Sequence, residues 1–411
     1  MSLVERLPSL WCRFQQNLFP FLNEEVGPLT ETHHRLVIVL DVACIEAFVH
    51  AWPGLPGRPP AERRPLARAF VAKSILNLST TKSLIERLLV DKALRRLCGW
   101  ERLKAVPSES TFSRAFAEFA ESNLPGLVQE TLIKDVFKNR LVGHISRDAT
   151  AIEAREKPAK PSNTDAVVAA SPSAEPLIKA SEPPAEAPSA AVNQTPSAPR
   201  RRGRPRKGEV SPPKELRRLE KQVAGLGLEE MLADLPKHCD VGTKRNSKGY
   251  KTSWIGYKLH IDTADGDIPL SCILTSASIH DSQVAIPLAT MTAARGVVNC
   301  YDLMDAAYDA PEIRAHSKAL GHVPIIDINP RSNKILKEEL AQEAKRLTLL
   351  GYTTAEDIRY NERSAAERVN SQLKDSYGGS TVRVRGPVKV ACHLMFGVLA
   401  ITVLQIMRLT T

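Results

Sequence analysis

The sequence predicts a mixed α/β fold: a mixed sheet flanked by helices, preceded by an all-α region and interrupted by a disordered insert. Three observations carry that expectation. From about residue 250 onward, short β-branched runs alternate with helix-period segments, as strands covered by helices require. Residues 1–142 repeat apolar side chains at three-and-four spacing. Residues 156–213 are rich in Pro, Ala and Ser with no sustained apolar period, so they cannot bury enough surface to offset the entropy of ordering.

Taken in order, "AERRPLARAFVAKSILNLS" and "TTKSLIERLLVDKALRRLCGW" each predict a helix, the second capped by Thr80 or Thr81. "VPSESTFSRAFAEFAESNL" predicts a third, with Phe112, Ala115, Phe116 and Phe119 facing inward and Ser113 and Arg114 outward. "GHISRDATAIEAR", residues 143–155, reads as a strand. "WIGYKLHIDTADGDIPLSCILTSASIHDSQ" reads as a hairpin turning at "ADGD", and "DSQVAIPLATMTAA" as a helix with Asp281 as its N-cap. The strand "GVVNCYDLMDA", the helix "APEIRAHSKALG", the strand "VPIIDIN" and further helices complete the chain.

Composition bounds the function. The 411 residues are 43% hydrophobic and 25% charged, with 56 Lys+Arg against 46 Asp+Glu, a net charge of +10. That excess favours a polyanionic partner, nucleic acid or a membrane surface. The most apolar run, "LMFGVLAITVLQIM", is too short to span a bilayer and is expected to be a buried helix. The stretch "MSLVERLPSLWCRF" lacks signal-peptide character, so a cytoplasmic, nucleoid-associated protein without a membrane partner is expected. Seven scattered cysteines without a C-x-x-C pair fit a reducing compartment, and the adjacent His238 and Cys239 do not make a zinc site.

Asp148 lies inside the first strand, and Asp305 at the C-terminal end of the strand at 296–306, where ligands usually bind an α/β sheet. On local evidence alone Asp302 and Asp309 compete with Asp305. The helix "YNERSAAERVNSQLK", residues 360–374, sets Ala365, Ala366, Val369 and Leu373 on one face. Tyr360, Arg363, Glu367 and Lys374 gather within roughly 60° on the other. Hard carboxylate oxygens gathered at one point bind Mg²⁺ or Mn²⁺, and paired ions suit phosphodiester chemistry.

The spacing Y-x2-R-x3-E-x6-K resembles the signature of DDE transposases encoded by bacterial insertion sequences. "RDATAIEA" resembles the family's first-Asp strand, "MDAAYD" its second-Asp motif, "GYKLHIDTADGDIPL" and "SASIHDS" the strands between, and "PSESTFSRAF" its N-terminal DNA-binding region. The resemblance implies an RNase H-like catalytic domain in which Asp148, Asp305 and Glu367 bind two Mg²⁺ ions, Mn²⁺ being able to replace them. It also implies cleavage at the element's ends and strand transfer into target DNA. Residues 1–142 would form a helix-turn-helix-like DNA-end-binding domain, with Ser113 and Arg114 on its recognition helix. Residues 143–155 would supply the first catalytic strand and 214–411 the rest of the catalytic domain. Tyr360, Arg363 and Lys374 would follow a DNA strand. The partners implied are double-stranded DNA, both terminal inverted repeats and target, and a second copy of the chain in a homodimer. The helix signature is the one carried by relatives that process ends through DNA hairpins, but the interval 306–366 leaves little room for the large β-rich insertion those relatives have there.

Within the insert, "RRRGRPRKGE" at 200–209 resembles an AT-hook. Arg202, Gly203, Arg204, Pro205, Arg206 and Lys207 would enter a narrow minor groove, where an extended Arg-Pro backbone fits and negative potential is concentrated. A non-specific polybasic patch would bind DNA by counterion release instead. Two other function classes remain open from sequence: a DNA-binding protein without catalysis, and a metal-dependent nuclease that cuts without joining.

Overall fold

The computed structural model describes residues 3–49, 61–138, 140–158, 216–245 and 249–409. The tract from 159 to 215, with Arg202, Gly203, Arg204, Pro205, Arg206 and Lys207, lies outside them. The N-terminal part is helical: α1 (Leu3–Arg13), α2 (Phe19–Val26), α3 (Glu31–Ala43), α4 (Arg63–Ile75), α5 (Thr81–Val90), α6 (Lys92–Leu97), α7 (Glu109–Glu121) and α8 (Leu124–Phe137). Thr80 caps α5 by accepting from the Ser83 amide at 3.0 Å. The single helix expected over 80–100 is broken at Asp91, whose extended backbone ends α5 and whose carboxylate caps α6 through the Leu94 amide at 2.9 Å. On α7 the expected inner face is buried, and Ser113 and Arg114 are exposed.

The second part begins with β1 (Leu141–Glu153). After the insert come α9 (Arg218–Val223), α10 (Leu228–Asp234), β2 (Asp240–Arg245), β3 (Lys251–Ala264), β4 (Ile268–Ser276) and α11 (Ser282–Ala294). Then follow β5 (Val298–Met304), α12 (Pro311–Ala319), β6 (Val323–Ile326), α13 (Lys334–Leu350), α14 (Ala355–Tyr360), α15 (Ser364–Ser376) and α16 (Pro387–Arg408). Among the described residues these strands form a six-stranded mixed sheet in the order β2-β3-β1-β5-β6, with β4 also on β3. Here β1 is antiparallel to β3 and parallel to β5, as β5 is to β6. With helices on the sheet and a helical N-terminal region, this arrangement is consistent with an RNase H-like domain.

Strand alternation decides which side chains serve the core. Arg147 faces the opposite side of the sheet from Asp148, and forks onto Asp262, its ladder partner on β3, at 2.7 and 2.9 Å. Thr292 of α11 also donates to Asp262, so a buried ion pair with a third partner fixes the register beneath Asp148.

One correction concerns α16. The apolar run belongs to a 22-residue helix, long enough to cross a bilayer, so length does not exclude that role. Burial argues the other way, since 83% of its apolar window is buried inside the protein. Its Phe396 meets Phe70 of α4 at 5.8 Å, and one continuous core joins α16, the N-terminal helices and the sheet.

Candidate active site

The parallel ladder between β1 and β5 pairs Arg147 with Met304, so Asp148 and Asp305 come next on adjacent strands. Both carboxylates are half-buried. Burial pushes the Asp148 carboxyl above the usual range, and the charge of Asp305 adds to the shift against the Ala149 amide, Lys244 and Arg363. Burial likewise raises Asp305, with Asp281 adding to it, although the Ala307 amide donates to its Oδ1 at 2.9 Å. Two partly desolvated acids that repel one another are under electrostatic pressure to gain a cation or a proton.

Residues 360–374 are helical as expected, but a 3₁₀ turn at Asn361–Arg363 separates α14 from α15. Tyr360 therefore ends one helix and Glu367 sits in the first turn of the next. The Tyr360 hydroxyl donates to Asp327 at 2.5 Å, and the Arg363 guanidinium lies over its ring at 5.5 Å. Arg363 also donates to Glu367 Oε1 at 2.7 Å, while its carbonyl accepts from Ser146 of β1 at 2.6 Å. Lys374 is half-buried, within reach of the charges of Asp148 and Glu153.

Asp148 and Asp305 are brought together, whereas the exposed Glu367 carboxylate is turned to Arg363. Among the described residues no three acidic, His or Cys side chains converge as a ready metal cluster. Two unpartnered atoms nevertheless suit a bound cation and its water. Asn370, one turn after Glu367, donates to Asp148 at 3.0 Å and leaves its buried Oδ1 without a partner. The buried Tyr308 hydroxyl, within the field of Asp148, Asp305 and Asp281, is also unpartnered. Oxygen donors of this kind fit a hard divalent ion.

Asp281 corrects an expectation. Its side chain makes no cap bond to α11, and instead accepts from Lys258 Nζ at 2.8 Å, its charge acting on Asp305. Lys244 was not anticipated either. Its ladder partner is Thr252, whereas Asp148 pairs with Ile261 of the same strand, an interval of about 30 Å on a straight strand. Yet its charge acts on Asp148, Asp305 and Lys374. The β2–β3 arm therefore bends back. At Gly256 β3 lies close against β1: φ is +152° and any Cβ would stand 2.1 Å from the Ile152 carbonyl oxygen.

Two family models match the chain: a transposase DDE domain over residues 234–403, and a transposase domain (DUF772) over residues 28–118. The chain belongs to the DDE transposases. Asp305 and Glu367 fall inside the first match and Ser113 and Arg114 inside the second, while Asp148 lies in neither. The transposase matches no curated protein and no solved structure. As a DDE transposase it is an enzyme of DNA transposition from a family that uses divalent metal ions.

Proposed function

We propose that this transposase cleaves DNA at the ends of its insertion sequence and transfers the freed strand into target DNA, using Asp148, Asp305 and Glu367. The observation that supports this most is the placement of Asp148 and Asp305 directly after the Arg147–Met304 rung of two adjacent parallel strands, both half-buried, with their carboxyls raised by burial. In the first step water attacks the scissile phosphorus and the bond to the 3′-oxygen breaks, leaving a 3′-hydroxyl. In the second, that hydroxyl attacks a target phosphorus, loses its proton and displaces the target's 3′-oxygen, so one phosphodiester forms as one breaks.

Asp148, Asp305 and Glu367 would hold two Mg²⁺ or Mn²⁺ ions, which when bound supply an activated water and neutralise charge building on the phosphate. Asn370 holds the Asp148 carboxylate in place. Arg363 forks a phosphate once released from Glu367, and Lys374 and Lys244 act as point charges on the DNA strand beyond. Tyr360 orients Arg363 through their stacked contact. Ser113 and Arg114, exposed on α7, would read the terminal repeats, and two paired ends call for a homodimer. The hook residues 202–207 would tether DNA and raise its local concentration without joining the chemistry. Deleting 160–213, which spares Glu156, should then weaken binding but leave cleavage of saturating DNA intact.

The test is Mg²⁺-dependent cleavage and joining of labelled end DNA, its sequence read from the inverted repeats that flank the gene. Wild type should give both products, and Glu367→Gln neither. Cleavage without joining would reduce the activity to a nuclease. Binding that ignores both Mg²⁺ and the substitution would leave a DNA-binding protein without catalysis.

A further inference from the structure

A second site lies away from the carboxylates, in a pocket of about 380 Å³ between α4, α7, the end of β1 and the start of α16. Lys73, Arg155, Arg383, Arg385 and Lys389 all line it, and Glu109 is the one carboxylate among the lining residues. Neighbouring Glu156 is not among the lining residues; its carboxylate accepts from the Tyr257 hydroxyl at 2.6 Å and the Gly386 amide at 3.1 Å. Arg385 spends only its Nε, on the Arg155 carbonyl at 3.3 Å.

Lys73 is the telling member. It is 7% exposed, and its ammonium makes no hydrogen bond or ion pair with any described residue. A buried charge without a partner costs stability, and an anion entering the pocket would offset that cost. Burial pulls its pKa down to about 8, which an arriving anion would reverse. Beside it the buried His393 imidazole is pulled down to about 4 by burial and by Lys73, so it stays neutral, its Nε2 3.1 Å from the Gly378 carbonyl.

The pocket is also aligned with the chemistry. β1 carries Asp148 and ends at Glu153, two residues before Arg155. Lys374 bridges the interval, within the fields of both Asp148 and Glu153, and Lys244 stands beside it.

We propose that this pocket, built around the buried Lys73 and rimmed by Arg383 and Lys389, is a binding site for a backbone phosphodiester of the element's end DNA. The assignment rests on the transposase reading and adds to it a second anchor, at the seam between the helical part and the sheet. Ser113 lines the same pocket, so a phosphate held there also brings the DNA alongside α7.

The experiment is salt-dependent binding of full-length protein to a fluorescent duplex carrying the terminal repeat, without Mg²⁺. Arg383→Gln with Lys389→Gln should cut affinity about tenfold or more at fixed salt, and lower the slope of log K against log salt by about one to two. Lys73→Met keeps the shape and removes the charge. It should weaken binding while melting at the wild-type temperature or higher. Unchanged affinity and slope in both variants overturns the site. So does weakening by the exposed pair alone, which would leave only a surface patch, and so does a Lys73→Met protein that melts earlier yet binds normally. Because the readout is binding, it separates from the catalytic test: wild type that binds through the pocket but never joins DNA sinks the transfer reading and leaves the pocket standing.

Discussion

At the scale of single residues, the two paired aspartates carry a measurable cost. Asp305 has a carboxyl raised above the usual range by burial, with Asp281 beside it. The folded state therefore holds that proton more tightly than the unfolded chain does. Stability falls as pH rises from the ordinary carboxylate range through the raised folded value, and stays lower on the neutral side. Asp305→Asn keeps the size of the side chain and can still accept from the Ala307 amide. In EDTA at pH 7 this variant should be more stable than wild type, and the gain should vanish by about pH 3, below the ordinary carboxylate range. Melting curves at the two pH values test it; a variant that melts earlier at neutral pH would show that Asp305 is held by structure rather than strained. Adding Mg²⁺ should raise the melting temperature of wild type and not of the variant.

At the scale of elements, what could be read from sequence divides along a physical line. The hairpin β3–β4, the helix α7 with its Phe112, Phe116 and Phe119 face, and the strands bearing Asp148 and Asp305 were legible, because period and turn chemistry are local. The break at Asp91, the 3₁₀ turn before α15 and the ion pair of Asp281 with Lys258 were not, since each depends on partners distant in sequence or on competition between caps. Asn370 was hidden by its place on the wheel, between the apolar stripe and the charged one. Lys73 was hidden because a lysine in "AFVAKSI" reads as the polar side of a helix, though α4 is packed all round there. Lys244 is the clearest case, since its ladder partner Thr252 lies nine residues along β3 from the partner of Asp148, and nothing local tells that its charge reaches the carboxylates. Gly256→Ala would force a Cβ to within 2.1 Å of a β1 carbonyl oxygen. It should cost about 2 kcal/mol or more and slow DNA cleavage by displacing the arm. Denaturant unfolding paired with the cleavage assay checks both, and an alanine protein with normal stability would mean that the arm is not built on that contact.

At the scale of the whole molecule, α16 decides how the parts behave together. The last helix in sequence is the most buried: it meets α3, α4, α7 and α8 on one side and β4 on another. Its Phe396 closes the aromatic cluster of Phe70, Phe112, Phe116 and Phe119. A region that would read DNA ends and a sheet that would cut them therefore share one core instead of a linker, and the basic pocket sits at their seam. Phosphates held at that seam would be fixed relative to Asp148 by packing. Phe396→Ala should cost about 3–5 kcal/mol, the range for a fully buried ring. More telling is the form of the loss. With one shared core, helical and sheet signals should fall in a single cooperative transition at a lower temperature, and end binding should fail together with cleavage. Two separated transitions, with the N-terminal helices surviving the sheet, would mean that α16 only bridges two independently stable halves.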